Sequence, residues 1–202
     1  MKLTTVTSLT LDGVTQGHRR IDAVSEGESG GFERFGWAPP LLDDAASEFI
    51  SQTFQRADAF LFGRRTYEIF AGSWGAGMDP GNPVGEALNT KPKYVASTTL
   101  TDPEWAGTTV LSGDVGAAVD ELRAEPDGEL QVWGSGSLIR WLLDHRLVDE
   151  IVLMTYPVIV GQGTRLFPAD GADTGLELVD VRTTPKGLTL QTFRTTGRPQ
   201  YE

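Results

Sequence analysis

The chain of 202 residues contains no cysteine and only two histidines, His18 and His145. Without thiols there is no disulfide scaffold, no thiolate metal site and no cysteine nucleophile, which accords with a reducing compartment. Two histidines so far apart write no histidine-based metal motif, and no metal is expected. Basic residues are few: 17 Lys plus Arg stand against 28 Asp plus Glu, a formal net charge of −11. Such a surface repels phosphate backbones and anionic lipids, so neither nucleic acid nor membrane is an expected partner. A local basic pocket can still take one phosphorylated ligand. Long hydrophobic runs are also missing. The longest, Ile151 to Val160, is interrupted by Thr155 and Pro157 and is too short to span a bilayer. The opening Met1–Val6 lacks the apolar stretch of a signal peptide, so a cytoplasmic protein is expected. Length, 39% apolar and 22% charged residues suit one globular domain over 1–202.

What is present alternates. Lys2–Leu11, rich in Thr and Val, reads as a strand ending in the turn signal Asp12-Gly13. Gly17–Pro40 is irregular and Gly-rich, long enough to be a lid or binding loop. Asp43 or Asp44 caps a helix reaching Arg56, and Ala57–Phe62 is a short apolar strand followed by a brief helix over Arg64–Ala71. After the Gly/Pro-rich loop Gly72–Pro83, the pattern gives a helix at Val84–Asn89, strands at Tyr94–Ser97 and Thr108–Leu111, and a helix at Val115–Arg123. A strand at Leu130–Trp133 and a helix at Ser137–His145 precede three successive strands, Glu150–Val160, Leu176–Thr183 and Gly187–Thr195. Alternation followed by a β-rich end predicts an α/β fold with a mainly parallel sheet and antiparallel strands added at one side.

Three segments carry candidate chemistry, each just after a strand. In Gly63-Arg64-Arg65-Thr66 a tight turn leads two arginines into a helix start, where the macrodipole disfavours cations unless an anion sits between them. In Gly134-Ser135-Gly136-Ser137-Leu138 small residues allow close backbone approach, and the amides of the helix start can cradle a pyrophosphate. Ile139 stands where G-x-G-x-x-G needs its last glycine, so this is not the Rossmann fingerprint. Ser97 and Thr98 place hydroxyls at the carboxyl end of a third strand, where ligands of open α/β sheets bind. Together they read as sites for a dinucleotide with several phosphates. Asp12, near the first strand end, is a candidate catalytic group. Trp37 and Trp74, each in a Gly-rich loop, are candidate walls of a substrate pocket.

Through Ser8–Gly13, Gly31-Phe32-Glu33, Gly36-Trp37-Ala38, Gly63–Glu68, Lys93–Thr98, Gly134–Leu138 and Leu147–Gly163 with Leu166-Phe167, the chain resembles the dihydrofolate reductase-like superfamily. Within it, the likeness is to stand-alone reductases related to the C-terminal domain of the riboflavin-biosynthesis deaminase-reductase. The resemblance implies a three-layer α/β/α sandwich around a mixed sheet, an NADPH-dependent reductase and a homodimer. It places Arg64, Arg65 and Thr66 on the cofactor phosphates, Ser97 and Thr98 near the adenosine 2′-phosphate, and Gly134–Ser137 on the pyrophosphate or nicotinamide side. It also implies a small heterocyclic substrate, as in 5-amino-6-(5-phosphoribosylamino)uracil reduction, whose own phosphate would need donors such as His18, Arg19 and Arg20, then Lys186 and Arg165.

The chain departs from dihydrofolate reductases at one informative place. Counting from Trp37 through Pro40, the position of their acid is Leu42, with carboxylates one and two residues later at Asp43 and Asp44. One helical position rotates a side chain by about 100°, so Asp43 as the catalytic acid competes with Asp43 as a helix cap. Two alternatives therefore stand beside the pyrimidine reductase: a dihydrofolate or pterin reductase, and a nucleotide-binding dimeric module without turnover.

Overall fold

The computed structural model describes residues 1–19, 31–75, 81–171 and 173–201. Arg20, Gly27 and Gly30 of the first Gly-rich loop, and the middle of the second, lie outside the described residues. Eight strands, β1 (Lys2–Thr10), β2 (Ala59–Gly63), β3 (Lys93–Ala96), β4 (Thr108–Leu111), β5 (Glu129–Trp133), β6 (Glu150–Tyr156), β7 (Gly175–Thr183) and β8 (Thr189–Gly197), form a sheet of order β4-β3-β2-β5-β1-β6-β8-β7. The helices are α1 (Asp44–Arg56), α2 (Arg64–Phe70), α3 (Pro83–Thr90), α4 (Val115–Arg123) and α5 (Gly136–Asp144). The pairings β1–β5, β2–β5, β2–β3 and β3–β4 are parallel, and β7–β8 is antiparallel. The expected α/β class, mainly parallel with antiparallel C-terminal strands and flanking helices, is what the chain adopts.

Contacts group the chain into two compact units, Met1–Val6 with Glu48–Glu150, and Thr7–Ser47 with Ile151–Glu202. In the first unit, β2 is a continuous apolar run and β5 is buried along its whole length, as strands covered on both faces require. The Phe54 ring of α1 stacks on Trp133 of β5 at 3.8 Å and 13°. In the second unit, Phe32 is buried between backbone: a Cβ on Gly17 would meet its ring at 2.2 Å, and one on Gly163 would meet it at 2.7 Å. Both glycines have positive φ, +79° and +104°, so space and backbone conformation each select glycine there.

Two boundaries differ from the sequence expectation. The strand expected to reach Val160 stops at Tyr156, because Pro157 has no N–H for a ladder; Val158 instead accepts from Leu11 N at 2.9 Å. Part of the loop expected from Gly72 is a π-helical turn over Ala71–Gly75 that continues α2.

Lys93 opens β3 fully buried. Its ammonium donates to the Leu88 and Lys91 carbonyls at 2.8 and 2.9 Å and lies 4.9 Å from the centre of the Trp105 ring. Burial pulls its pKa below the ordinary lysine value. At the other end of the sheet, β7 leaves Leu176, Leu178, Val179 and Val181 exposed. No helix among the described residues is long and apolar enough to cross a membrane.

Candidate functional site

The first unit brings together most of the anion-binding candidates. β2 ends at Gly63, extended at φ −76° and ψ 154°, and α2 starts at Arg64. β5 ends at Trp133, and α5 starts after two successive left-handed residues, Gly134 (φ +57°) and Ser135 (φ +51°). The two turns are tied by reciprocal bonds. Gly63 N donates to Ser135 Oγ at 3.0 Å, and Ser135 N donates to Thr66 Oγ1 at 3.1 Å. A left-handed serine costs about 1–2 kcal/mol relative to a relaxed backbone. The bonds to Gly63 and Thr66 hold it there. With its hydroxyl turned to Gly63, Ser135 makes no side-chain cap to α5, whose first-turn amides keep their affinity for an acceptor.

Arg64 is held in this corner by Thr99 Oγ1 at 2.7 Å and by Glu68 Oε1 at 2.7 Å. Glu68, one turn on, supplies Arg64 with a negative partner inside the chain. Both side chains are nearly half exposed, at 46% and 48%, so opening the pair costs at most about 1 kcal/mol. Arg65 is exposed in the same turn. Gly136 and Leu138 are half-buried, and the exposed Ser137 accepts from Arg140 at 3.3 Å.

Ser97 uses its hydroxyl to accept from Thr99 N (3.2 Å) and Leu100 N (3.0 Å), shaping the turn after β3, while Thr98 is exposed. Thr99 was missed by sequence reasoning; the only signal was a third hydroxyl in the run Ser97-Thr98-Thr99. Trp74 is half-buried, and its carbonyl accepts from Asn89 at 2.9 Å.

The second unit holds both candidate carboxylates, each tied by backbone amides. Asp12 Oδ1 accepts from Thr10 Oγ1 at 2.6 Å and Val160 N at 3.2 Å, and Oδ2 accepts from Gly161 N at 2.9 Å. Arg165 Nε donates to the Asp12 carbonyl at 2.9 Å. The Thr10 hydroxyl, helped by the two amides and opposed by burial, holds the Asp12 pKa below the ordinary carboxylate value. Asp43 Oδ1 accepts from Ala46 N at 2.9 Å as the cap of α1, and Oδ2 accepts from Lys186 N at 3.0 Å. The Ala46 amide leads the causes that lower its pKa too. Both groups are therefore ionised acceptors near neutral pH. The Lys186 ammonium donates to the Pro40 and Leu42 carbonyls at 2.9 and 2.7 Å.

Trp37 is buried at 8% exposure, donates from its indole to Gln16 O at 2.9 Å, and packs edge-on against Tyr156 at 5.1 Å. His18 is exposed, 6.3 Å from the Trp37 ring. The half-buried Arg19 accepts at its carbonyl from Gly36 N at 2.8 Å. Among the described residues no cluster of three or more His, Cys, Asp or Glu is arranged to hold a metal.

Residues 1–190 match the family model of the RibD C-terminal domain. The chain belongs to that family. A Bacillus subtilis (strain 168) protein, the uncharacterised YyaP, is 25% identical over 179 residues, covering 88% of this chain and 91% of its own. A crystal structure of a Shewanella sp. PV-4 protein provisionally named for riboflavin biosynthesis superposes with a TM-score of 0.71 at 20% identity, over 97% of this chain and 99% of that one. A Thermotoga maritima diaminohydroxyphosphoribosylaminopyrimidine deaminase/5-amino-6-(5-phosphoribosylamino)uracil reductase superposes with a TM-score of 0.62 at 15% identity. That match takes in 96% of this chain and 56% of the longer protein. At such identities the structural likenesses establish the fold, and the RibD C-terminal domain match establishes the family.

Proposed function

We propose that this RibD C-terminal domain protein is an NADPH-dependent reductase of a small heterocyclic substrate, most like 5-amino-6-(5-phosphoribosylamino)uracil. The observation that carries the reading is the tied pair of strand-to-helix turns, Gly63–Thr66 and Gly134–Ser135, with Arg64 set beside them by Thr99. Those residues fit a phosphate-bearing nucleotide. Small residues admit its backbone, α5 amides donate to a pyrophosphate, and Arg64 and Arg65 supply charge-assisted donors. Ser97, Thr98 and Thr99 supply hydroxyls for a further phosphate such as the 2′-phosphate that separates NADPH from NADH. The reduced nicotinamide supplies the hydride, and the chain supplies orientation and electrostatics.

Trp37 and Arg19, both of the second unit, are assigned to the substrate, with the Arg19 guanidinium as a hydrogen-bond donor to its phosphate. Asp12 and Asp43 are assigned to loop and helix anchoring, because an ionised, amide-bound carboxylate has no proton to give. This separates the protein from a dihydrofolate-type reductase, whose acid position is Leu42 here. A homodimer is part of the proposal. The exposed Leu176, Leu178, Val179 and Val181 of β7 form an apolar surface suited to a second copy, and Leu178→Asp should shift the sedimenting species to monomer.

The test is titration with NADPH and NADH, read by tryptophan fluorescence, for the parent protein and for Arg64→Ala and Arg65→Ala. Tight NADPH binding, weak NADH binding and a loss of at least about tenfold in each variant are expected, one charge-assisted contact being worth roughly 1.5–3 kcal/mol. Absence of binding of either nucleotide refutes the reductase reading. Binding without oxidation across pyrimidine and pterin substrates favours the nucleotide-binding module.

A further inference from the structure

Arg64 carries the guanidinium of the candidate anion corner, and its five N–H donors can be assigned one by one. Nε donates to Glu68 Oε1 and Nη1 donates to Thr99 Oγ1, both at 2.7 Å. Among the described residues these bonds take two of the five, and the three that remain are on Nη1 and Nη2. That is the end of the fork that meets two oxygens of one phosphate. Thr99 Oγ1 accepts from Nη1 and so keeps its own hydrogen to give beside it. Its backbone N–H is fixed on Ser97 Oγ at 3.2 Å. Arg64, Glu68, Ser97 and Thr99 all belong to the first unit.

Glu68 is therefore no obstacle that a ligand must push aside. It takes the one donor, Nε, that an end-on phosphate does not use. Nor does the pair do much for α2. Cation first and acid four residues on is the weaker order for a helix pair, and both side chains are open to water. What the placement does change is the charge that an incoming anion meets. The positive charge of Arg64 is offset by a carboxylate bound to the same guanidinium.

We propose that Glu68 is a positioning residue that sets the ligand selectivity of this corner. It holds Arg64 through Nε, leaving the Nη end to the ligand, and its charge limits the preference for a 2′-phosphate over a free 2′-hydroxyl. The inference rests on the NADPH reading above. A phosphate monoester carries about 1.5–2 negative charges at pH 7 and feels both Arg64 and Glu68, whereas a hydroxyl carries none. Removing the Glu68 charge while keeping its oxygen therefore strengthens binding of the phosphorylated ligand and leaves the other alone. Glu68→Gln does this, because the amide Oε1 still accepts from Arg64 Nε. With one guanidinium between them, repulsion of carboxylate and phosphate across a water-exposed surface corresponds to about three- to tenfold in affinity at low salt.

The experiment is isothermal titration with adenosine 2′,5′-bisphosphate and with adenosine 5′-monophosphate, two ligands that differ only in the 2′-phosphate and carry no nicotinamide. The proteins are the parent, Glu68→Gln and Glu68→Ala, each checked by thermal melting. At about 0.02 M salt the parent should prefer the bisphosphate, and Glu68→Gln should bind it about three- to tenfold more tightly. Its affinity for the monophosphate should stay within about twofold of the parent. Glu68→Ala should gain less, because Arg64 has lost its Nε anchor. At about 0.5 M salt, where the screening length falls to roughly 4 Å, the gain in Glu68→Gln should drop below about twofold, whereas a purely structural change would persist. A bisphosphate affinity that is weaker or within about twofold of the parent at low salt overturns the inference. So does an equal gain for both ligands, or a gain that survives high salt. If Glu68→Gln does not fold, a Glu68→Ala protein without any gain for the bisphosphate overturns it. A parent that binds neither ligand, or both alike, refutes the NADPH reading and this inference with it. A parent that prefers the bisphosphate, with no gain in the variants, overturns the inference alone.

Discussion

Replacing Asp12 with Asn removes a charge and leaves the shape almost unchanged. The carboxylate receives three hydrogen bonds, two on Oδ1 from Thr10 Oγ1 and Val160 N and one on Oδ2 from Gly161 N. An amide can keep Oδ1 as acceptor, but its NH2 must then face the Gly161 N–H, donor against donor. One charge-assisted bond is lost outright, worth about 1.5–3 kcal/mol, and the exposure of the Gly161 contact to water puts the loss at the lower end. For a chain of this length about 1.5 kcal/mol lowers Tm by roughly 3–6 °C. The sign with pH is fixed by the direction of the shift. A carboxyl whose folded pKa lies below its unfolded value contributes stability above the unfolded value of 3.8, and loses it as pH falls through the folded one. The gap between parent and Asp12→Asn in urea unfolding should therefore be full at pH 7 and narrow as pH falls below the unfolded value of 3.8 through the lowered folded one. Taking the difference cancels the other carboxylates, which titrate alike in both proteins. A gap that is absent at pH 7, or that never narrows as the pH is lowered along the acid limb, refutes the anchoring role.

Gly163→Ala drives a methyl to within 2.7 Å of the Phe32 ring and 2.9 Å of Val14 at a φ of +104°, so a loss of about 2–4 kcal/mol is expected by urea unfolding, part of it returned in the Phe32→Leu background. Ser135→Gly relieves a left-handed residue but removes the acceptor for Gly63 N; stability should stay within about 1 kcal/mol while NADPH affinity falls, and isothermal titration beside thermal melting separates the two. Glu129→Gln breaks the nearly buried pair with Arg56 at 2.6 Å, and a loss of about 2 kcal/mol at pH 7 is expected by urea unfolding, Arg56 being half exposed. There too burial opposes ionisation but is outweighed, chiefly by the Arg56 bond, so the cost should fade as pH drops through the depressed Glu129 pKa.

Local chemistry made much of this legible. The α4 bounds and those of β4 follow from periodicity and from the Asp114 cap, whose carboxylate accepts from Ala117 N at 3.0 Å. Asp43 as the cap of α1 was readable from its position before an amphipathic run. The candidate anion corner was visible because Gly, Arg and hydroxyl residues cluster just after strands. Its internal wiring was not: Thr66 to Ser135 and Arg64 to Thr99 join residues 69 and 35 positions apart, which no window of sequence displays. Lys93 stands just before the strand expected at Tyr94–Ser97, and no window of sequence shows that carbonyls at the end of α3 and the Trp105 face together make an enclosed seat for its ammonium.

That seat has a consequence for chemical labelling. The chain has four lysines, Lys2, Lys91, Lys93 and Lys186, and Lys93 is the one with no exposed surface. An acylating reagent that modifies Lys2 and Lys186 on the native surface reaches Lys93 only in molecules in which the packing around the start of β3 has opened. The rate at which its mass tag appears on the peptide containing Lys93 is therefore a clock for that opening. Because an acylated Lys93 can no longer be housed as an ammonium among carbonyls, each event counted by the clock also removes that molecule from the native pool.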